Sequence, residues 1–299
     1  MELVSWEGGL HLQEIEALDA MKEVFVAKRS TSETKQKKSG GTLASQLGQA
    51  LGRPVDSMFP WKGYAGFRFV DSKGFEGEFD LLLVTHERVL IVELKDLKGK
   101  KITYNDDKWY CDGFEKYRSP VSVTQNKVYL IKNKLDKLRH KFSNNRTPWI
   151  DFLVVLSNNN DYSSLPDHQK KHVMAISEFL KLADEPLYNK RFNVRGNNHS
   201  LNTQFSVFDD LISGDNVKPK HLSVQNYITT VDDQILPLPG QESVYKEYIA
   251  TSEANKNDKA LLRQWDFNKI GDQHLIGISG LITTLTWQEQ VCKVVREIQ

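Results

Sequence analysis

Glu78-Phe79-Asp80-Leu81-Leu82-Leu83-Val84 and Val89-Leu90-Ile91-Val92-Glu93-Leu94-Lys95 decide the reading of this chain. Both are short apolar runs rich in Leu, Val and Ile, the composition of buried strands. Only Thr85-His86-Glu87-Arg88 separates them, so a hairpin is the economical connection. With His86 and Glu87 as the turn, Asp80 falls opposite Glu93, where paired Cβ atoms stand roughly 4.5–5.5 Å apart. Residues two apart along a strand share a face, so Glu78, Asp80, Glu93 and Lys95 are expected on one patch. Opposed carboxylates repel unless protonated or bridged by a cation. Mg²⁺ is commonly held by one or two carboxylates and water, which makes a metal one resolution. A surface ion network in which Lys95 balances a carboxylate at the sheet edge is the other.

Working outward, the periodicity predicts a helix from about Leu10 to Phe25, followed by a Ser/Thr/Lys/Gly-rich stretch over 29–45 that reads as a mobile basic loop. Strand-like runs at Tyr64–Val70, Glu78–Thr85, Val89–Lys95, Lys101–Tyr104 and Lys108–Cys111 suggest an antiparallel meander. A helix from Val121 to Lys141 and a nearly all-apolar strand, Ile150–Leu156, come next. Further helices are expected near Ser177–Ala183 and Thr203–Ile212. Two prolines and a glycine in Leu236–Gly240 read as a linker. The expected division is therefore 1–236 and 241–299, the latter a small α+β segment with strands at Val244–Ala250 and Ala260–Phe267 and a helix from Leu281 to Ile298.

Composition excludes several classes. The 299 residues are 26% charged and 39% hydrophobic, enough for one large or two ordinary globular domains. Lys+Arg number 40 against 39 Asp+Glu, so any nucleic-acid surface must be a local patch. Two distant cysteines, Cys111 and Cys292, argue against a disulfide scaffold or zinc ribbon and for a reducing compartment. No apolar run approaches a bilayer span and the first residues lack a signal pattern, so a cytoplasmic protein without membrane contact is expected. GxxxxGK[ST], GxGxxG, GxSxG and HExxH are all absent. Ser32-x-x-Lys35 sits in the basic loop, and His168 and His172, four apart without a neighbouring carboxylate, read as a solvated pair.

Two helices add candidates. Leu10, Ala17, Leu18, Met21, Val24 and Phe25 form one apolar face with Glu14 in its middle. A carboxylate there is costly unless something meets it, so Glu14 is expected to point at a specific partner. In the later helix Gln125, Tyr129 and Lys132 edge the apolar stripe, while Lys127, Lys134, Lys137 and Lys141 occupy the remaining face, available to a phosphate backbone or merely solvated.

Glu78-x-Asp80 followed by Glu93-x-Lys95 and Gly99, with Gln125-x-x-x-Tyr129 downstream and a helical Glu14 upstream, resembles the nuclease-related domain (NERD) family of the PD-(D/E)xK superfamily. The resemblance covers roughly 8–140. His86-Glu87-Arg88 replaces a turn glycine usual in the family and Ser119-Pro120 an Asn-Pro; neither removes a ligand. The resemblance implies an α/β restriction-endonuclease-like core, a mixed sheet flanked by helices, and a Mg²⁺- or Mn²⁺-dependent nuclease acting on DNA rather than RNA. Asp80, Glu93 and the Leu94 carbonyl would hold the ion, and Lys95 would orient or activate water and stabilise transition-state charge. Glu14 would complete the outer metal shell, Gln125 would position a carboxylate, water or phosphate, and Lys98, Lys127, Lys132 and Lys134 would meet nucleic acid. Such domains also occur fused to kinase-like or helicase domains, including in bacterial anti-phage systems, and Tyr245–Ala250 through Lys259–Phe267 looks like the opening of a kinase-like domain. The other function class is a catalytically silent docking module that regulates an attached domain.

Overall fold

The computed structural model describes residues 1–6, 9–25, 58–71, 74–97, 99–143, 145–158, 160–193, 201–224, 227–229, 234–235, 245–252 and 255–265. The chain divides into two compact units, Met1–Leu222 and Ser223–Gln299. The basic loop at 29–45, the linker at 236–240 and the helix expected at 281–298 lie outside the described residues.

In the first unit the elements run β1 (Glu2–Ser5), α1 (Leu12–Val24), β2 (Lys62–Asp71), β3 (Gly74–Val84), β4 (Arg88–Lys95), β5 (Ile102–Asn105), β6 (Lys108–Cys111), β7 (Phe114–Arg118), α2 (Pro120–Lys137), β8 (Trp149–Leu156), α3 (Asp167–Lys170), β9 (Val173–Ala175), α4 (Ile176–Leu180), α5 (Glu185–Phe192), α6 (Phe205–Ile212) and β10 (Val217–Pro219). The main sheet has the order β1-β2-β3-β4-β8-β9, with β10 also on β2. β2, β3 and β4 are antiparallel, whereas β4, β8 and β9 are parallel. This mixed sheet flanked by helices is consistent with a restriction-endonuclease-like core.

The apolar runs in β3, β4 and β8 have a simple cause: the sheet is covered on both faces. On one face Val89, Ile91 and Val154 pack with Val121, Ile131 and Leu135 of α2 and Phe208 of α6. On the other, Leu81, Leu83, Leu90 and Val92 pack with Ala17, Leu18 and Met21 of α1 and with Phe179 and Tyr188. Burying such side chains stabilises the fold by about 1.5–3 kcal/mol each. The expected five-strand meander is corrected here. β4 has β3 on one edge and β8 on the other, which leaves no edge for β5, so β5, β6 and β7 form a separate antiparallel sheet. Ser119 caps α2 by accepting from Ser122 N–H, and Pro120 occupies the first turn.

β11 (Leu222–Val224) begins at the last residue of the first unit, and the second unit goes on with β12 (Tyr227–Thr229), β13 (Gln234–Ile235), β14 (Tyr245–Ser252) and β15 (Lys259–Trp265). β14 pairs antiparallel with β12, β13 and β15. Tyr248 and Ala250 are its buried apolar side chains on β14. Among the described residues no helix is long and apolar enough to cross a membrane.

Candidate active site

Thr85 N–H donates to the Arg88 carbonyl and closes the turn, setting the register Leu81↔Val92, Leu82↔Ile91 and Leu83↔Leu90. One step further, Asp80 falls opposite Glu93, but the ladder has ended. There the Asp80 Oδ2 accepts the Leu94 N–H at 2.9 Å, so a side chain takes over from the main chain. The strand alternation changes at the same place. Ala65 and Leu81 pack on one face, while Phe67 and Phe79, two residues away on each strand, pack on the other. Gly66, between Ala65 and Phe67, has φ +72°, a value open to glycine at little cost. Asp80 thus sits at an irregularity of the sheet, where its carboxylate lies between strands.

Asp80 and Glu93 are 4% and 6% exposed. Glu93 Oε1 takes Lys95 Nζ at 2.8 Å, and its Oε2 pairs with Lys127 Nζ from α2. Asp80 Oδ1 takes Lys220 Nζ at 2.6 Å. The same ammonium lies 2.7 Å from Glu14 Oε1, while Glu14 Oε2 accepts the His11 N–H at 3.0 Å across the start of α1. Glu78 stands slightly apart and pairs with the backbone N–H and ring of His221.

Charges follow from this packing. Burial alone would raise the Asp80 carboxyl, but Lys220, Lys95 and Lys127 outweigh it and hold Asp80 well below the usual carboxylate range. Burial, reinforced by the Asp80 charge, raises the Glu14 carboxyl in spite of Lys220. Burial would lower Lys95, yet Glu93 and Asp80 overcome it and keep the ammonium charged far above its ordinary range. Lys220 is held charged in the same way by Asp80 and Glu14. In this state Lys95 can donate hydrogen bonds and neutralise charge but cannot accept a proton.

The predicted residues divide accordingly. Glu14 and Asp80 meet through Lys220, and Glu93 meets Lys95 and Lys127; the two groups adjoin where Asp80 accepts the Leu94 N–H and feels the charges of Lys95 and Lys127. Gln125 is exposed and its side chain makes no hydrogen bond with a described residue, and Tyr129 is 59% exposed. Lys127, assigned from sequence to the lysine face of α2, instead reaches the sheet, because position 127 neighbours buried Thr124 and Ile131 on the helix surface. Lys134 lies over the Phe69 ring at 4.2 Å, Lys132 is exposed, and Lys98 is outside the described residues. His168 and His172 part company, one against Tyr104 and the other stacked on Phe152. Ser32 and Lys35 lie outside the described residues.

Sequence reasoning missed Lys220 and His221. Lys220 is 140 residues from Asp80 and follows β10, and nothing local distinguishes it from other lysines. The signal available was indirect: a carboxylate on an apolar helix face demands a cation.

Among the described residues no group of three or more His, Cys, Asp or Glu converges on a metal position. The donor chemistry nevertheless fits a hard divalent ion. Among the described residues each oxygen of Glu14, Asp80 and Glu93 accepts one bond, and a carboxylate oxygen has a second lone pair. Two carboxylates completed by water are a common Mg²⁺ arrangement.

No curated protein and no solved structure matches the chain. The family model described as nuclease-related domain (NERD) matches residues 43–157, which carry Asp80, Glu93, Lys95 and Lys127 but not Glu14 or Lys220. The matched segment spans β2–β8, so that region of the chain is similar to a nuclease-related domain.

Proposed function

We infer that the chain is a metal-dependent nuclease that hydrolyses phosphodiester bonds, DNA in preference to RNA, at the Asp80, Glu93 and Lys95 cluster. The observation that carries this reading is the burial of both Asp80 and Glu93, at opposed positions of the β3–β4 hairpin within the nuclease-related segment, with Lys95 bonded to Glu93 at 2.8 Å. Asp80 and Glu93 would hold Mg²⁺ or Mn²⁺, with the Leu94 carbonyl as a further ligand. A bound divalent ion lowers the pKa of water and neutralises charge developing on the phosphoryl oxygens. Asp80 stays ionised across the physiological range and is therefore always available as an anionic donor. Lys95 stays protonated, so its role is to orient the phosphate and stabilise transition-state charge, with proton transfer left to water. Lys127 holds Glu93 from the helix side and fixes its rotamer. Lys132, which is exposed, would meet a phosphate backbone.

A second reading is favoured by one observation: each oxygen of Glu14, Asp80 and Glu93 already has a donor, so the cluster is satisfied without an ion. That is what a silent docking module would show. The two separate on incubating the purified chain with supercoiled DNA and with RNA, each with Mg²⁺, Mn²⁺ or chelator. Cleavage confined to the metal lanes supports the nuclease; binding without cleavage in every lane supports the module.

A further inference from the structure

Lys220 is fixed in place from both sides. Its N–H donates to the Gly66 carbonyl at 2.8 Å, the preceding β10 pairs with Phe67–Phe69, and the following His221 is bonded to Glu78. The approach is close enough that a Cβ on Gly9 would meet the Gly66 oxygen at 1.9 Å and the Lys220 nitrogen at 2.9 Å. The ammonium is therefore delivered to one position, 2.6 Å from Asp80 and 2.7 Å from Glu14, on a side chain that is almost wholly buried.

A cation that bridges two carboxylates, one of them shared with a metal position, is the arrangement a second divalent ion provides in a two-metal phosphodiesterase. We propose that Lys220 is a positioning residue that takes the place of a second metal ion and so limits this centre to one divalent cation, on the Asp80–Glu93 side. The proposal rests on the reading of Asp80 and Glu93 as the metal pair. It reassigns Glu14 from the outer shell of the metal to the counterion of Lys220. Charge balance agrees. Three carboxylates face three lysines: Glu93 takes Lys95 and Lys127, while Glu14 and Asp80 share Lys220. A single divalent ion then leaves two positive charges to meet one phosphodiester charge, whereas a second beside Lys220 would leave four. Distance agrees as well, because Mg²⁺ binds oxygen at about 2.0–2.1 Å. With the ammonium gone, each carboxylate would have to close by only about 0.5–0.7 Å to grip an ion.

The test is the Mn²⁺ stoichiometry of the full chain, read by titration calorimetry and by the electron paramagnetic resonance of free Mn²⁺, for wild type and Lys220→Gln. One ion in wild type and two in the variant are expected. One ion in both overturns the role of Lys220 and leaves the Asp80–Glu93 centre standing. No ion in wild type but one in the variant supports the role of Lys220 and overturns the metal pair; no ion in either overturns both. Reductive methylation of wild type, followed by mass spectrometry, covers a variant that does not fold. Lys220 should remain slower to react than exposed Lys132 with and without Mn²⁺. A Lys220 that becomes reactive when Mn²⁺ is added has been displaced by the ion, which overturns the proposal.

Discussion

Gly9→Ala is a one-carbon perturbation whose effect can be worked out from the backbone around Lys220. The added Cβ would lie 1.9 Å from the Gly66 oxygen, 2.9 Å from the Gly66 carbonyl carbon and 2.9 Å from the Lys220 nitrogen. Close C···O contacts in proteins stand at about 3.3 Å, so the first is short by about 1.4 Å. All three atoms are backbone, and two belong to the 2.8 Å hydrogen bond that holds Lys220 to β2. Relief therefore requires separating the chain around Gly9 from Gly66, or breaking that bond. Overpacking strain of about 1–3 kcal/mol and an unmade buried hydrogen bond of about 1–3 kcal/mol bracket the cost. We expect a loss of about 2–4 kcal/mol, equivalent to about 5–15 °C in Tm for a domain of this size. Urea denaturation followed by tryptophan fluorescence measures it, with the slope checked for a two-state transition. A Gly9→Ala protein within about 0.5 kcal/mol of wild type, the range of a neutral surface substitution, would refute the close approach and with it the fixed placement of Lys220.

Lys95→Ala should reduce DNA nicking by about 10²–10³. Stability should fall by no more than about 2 kcal/mol, because Glu93 keeps Lys127; equal nicking would remove Lys95 from the mechanism. Gln169→Leu should cost about 2–4 kcal/mol in urea, since the buried Trp109 Nε1 and Ser119 Oγ both donate to Gln169 Oε1, at 3.1 and 2.5 Å, and both would lose their acceptor. Burial, the largest cause for each, holds His11, His86 and His172 below the ordinary histidine value of 6.5. The unfolded chain therefore takes up protons first, and stability is lost as pH falls below about 6.5, offset in part by Glu14, whose raised carboxyl acts in the opposite sense. Melting curves should show a lower Tm at pH 5.5 than at pH 7, and an equal or higher Tm would contradict the burial of these rings.

What was legible in the sequence and what was not have physical causes. The β3–β4 hairpin could be read because its four-residue connection and apolar runs fix the register, and that register places Asp80 opposite Glu93. The β5–β7 runs were read as strands but put in the wrong sheet, because pairing partners depend on β8, which occupies the β4 edge from more than fifty residues away. Glu14 was conspicuous as a carboxylate on an apolar stripe, yet its partner Lys220 lies 206 residues away, and a lone lysine carries no periodic signal. The sequence leaves Lys127 open between a phosphate backbone and solvent, because helical position alone does not tell either from a lysine whose stem runs over the core to a buried carboxylate. Gln125 fits the family spacing but lies exposed, so its proposed positioning role depends on a bound substrate or ion to bring it into contact.

The most direct test of the central claim is nicking of supercoiled DNA by wild type, Asp80→Asn and Glu93→Gln at matched protein and Mg²⁺ concentrations, with melting curves recorded to confirm folding. Asp80 and Glu93 as the metal pair predict metal-dependent nicking by wild type, lost by orders of magnitude in both folded variants. Nicking that persists unchanged in folded Asp80→Asn and Glu93→Gln would contradict the account, as would a wild-type chain that fails to nick DNA at any Mg²⁺ or Mn²⁺ concentration.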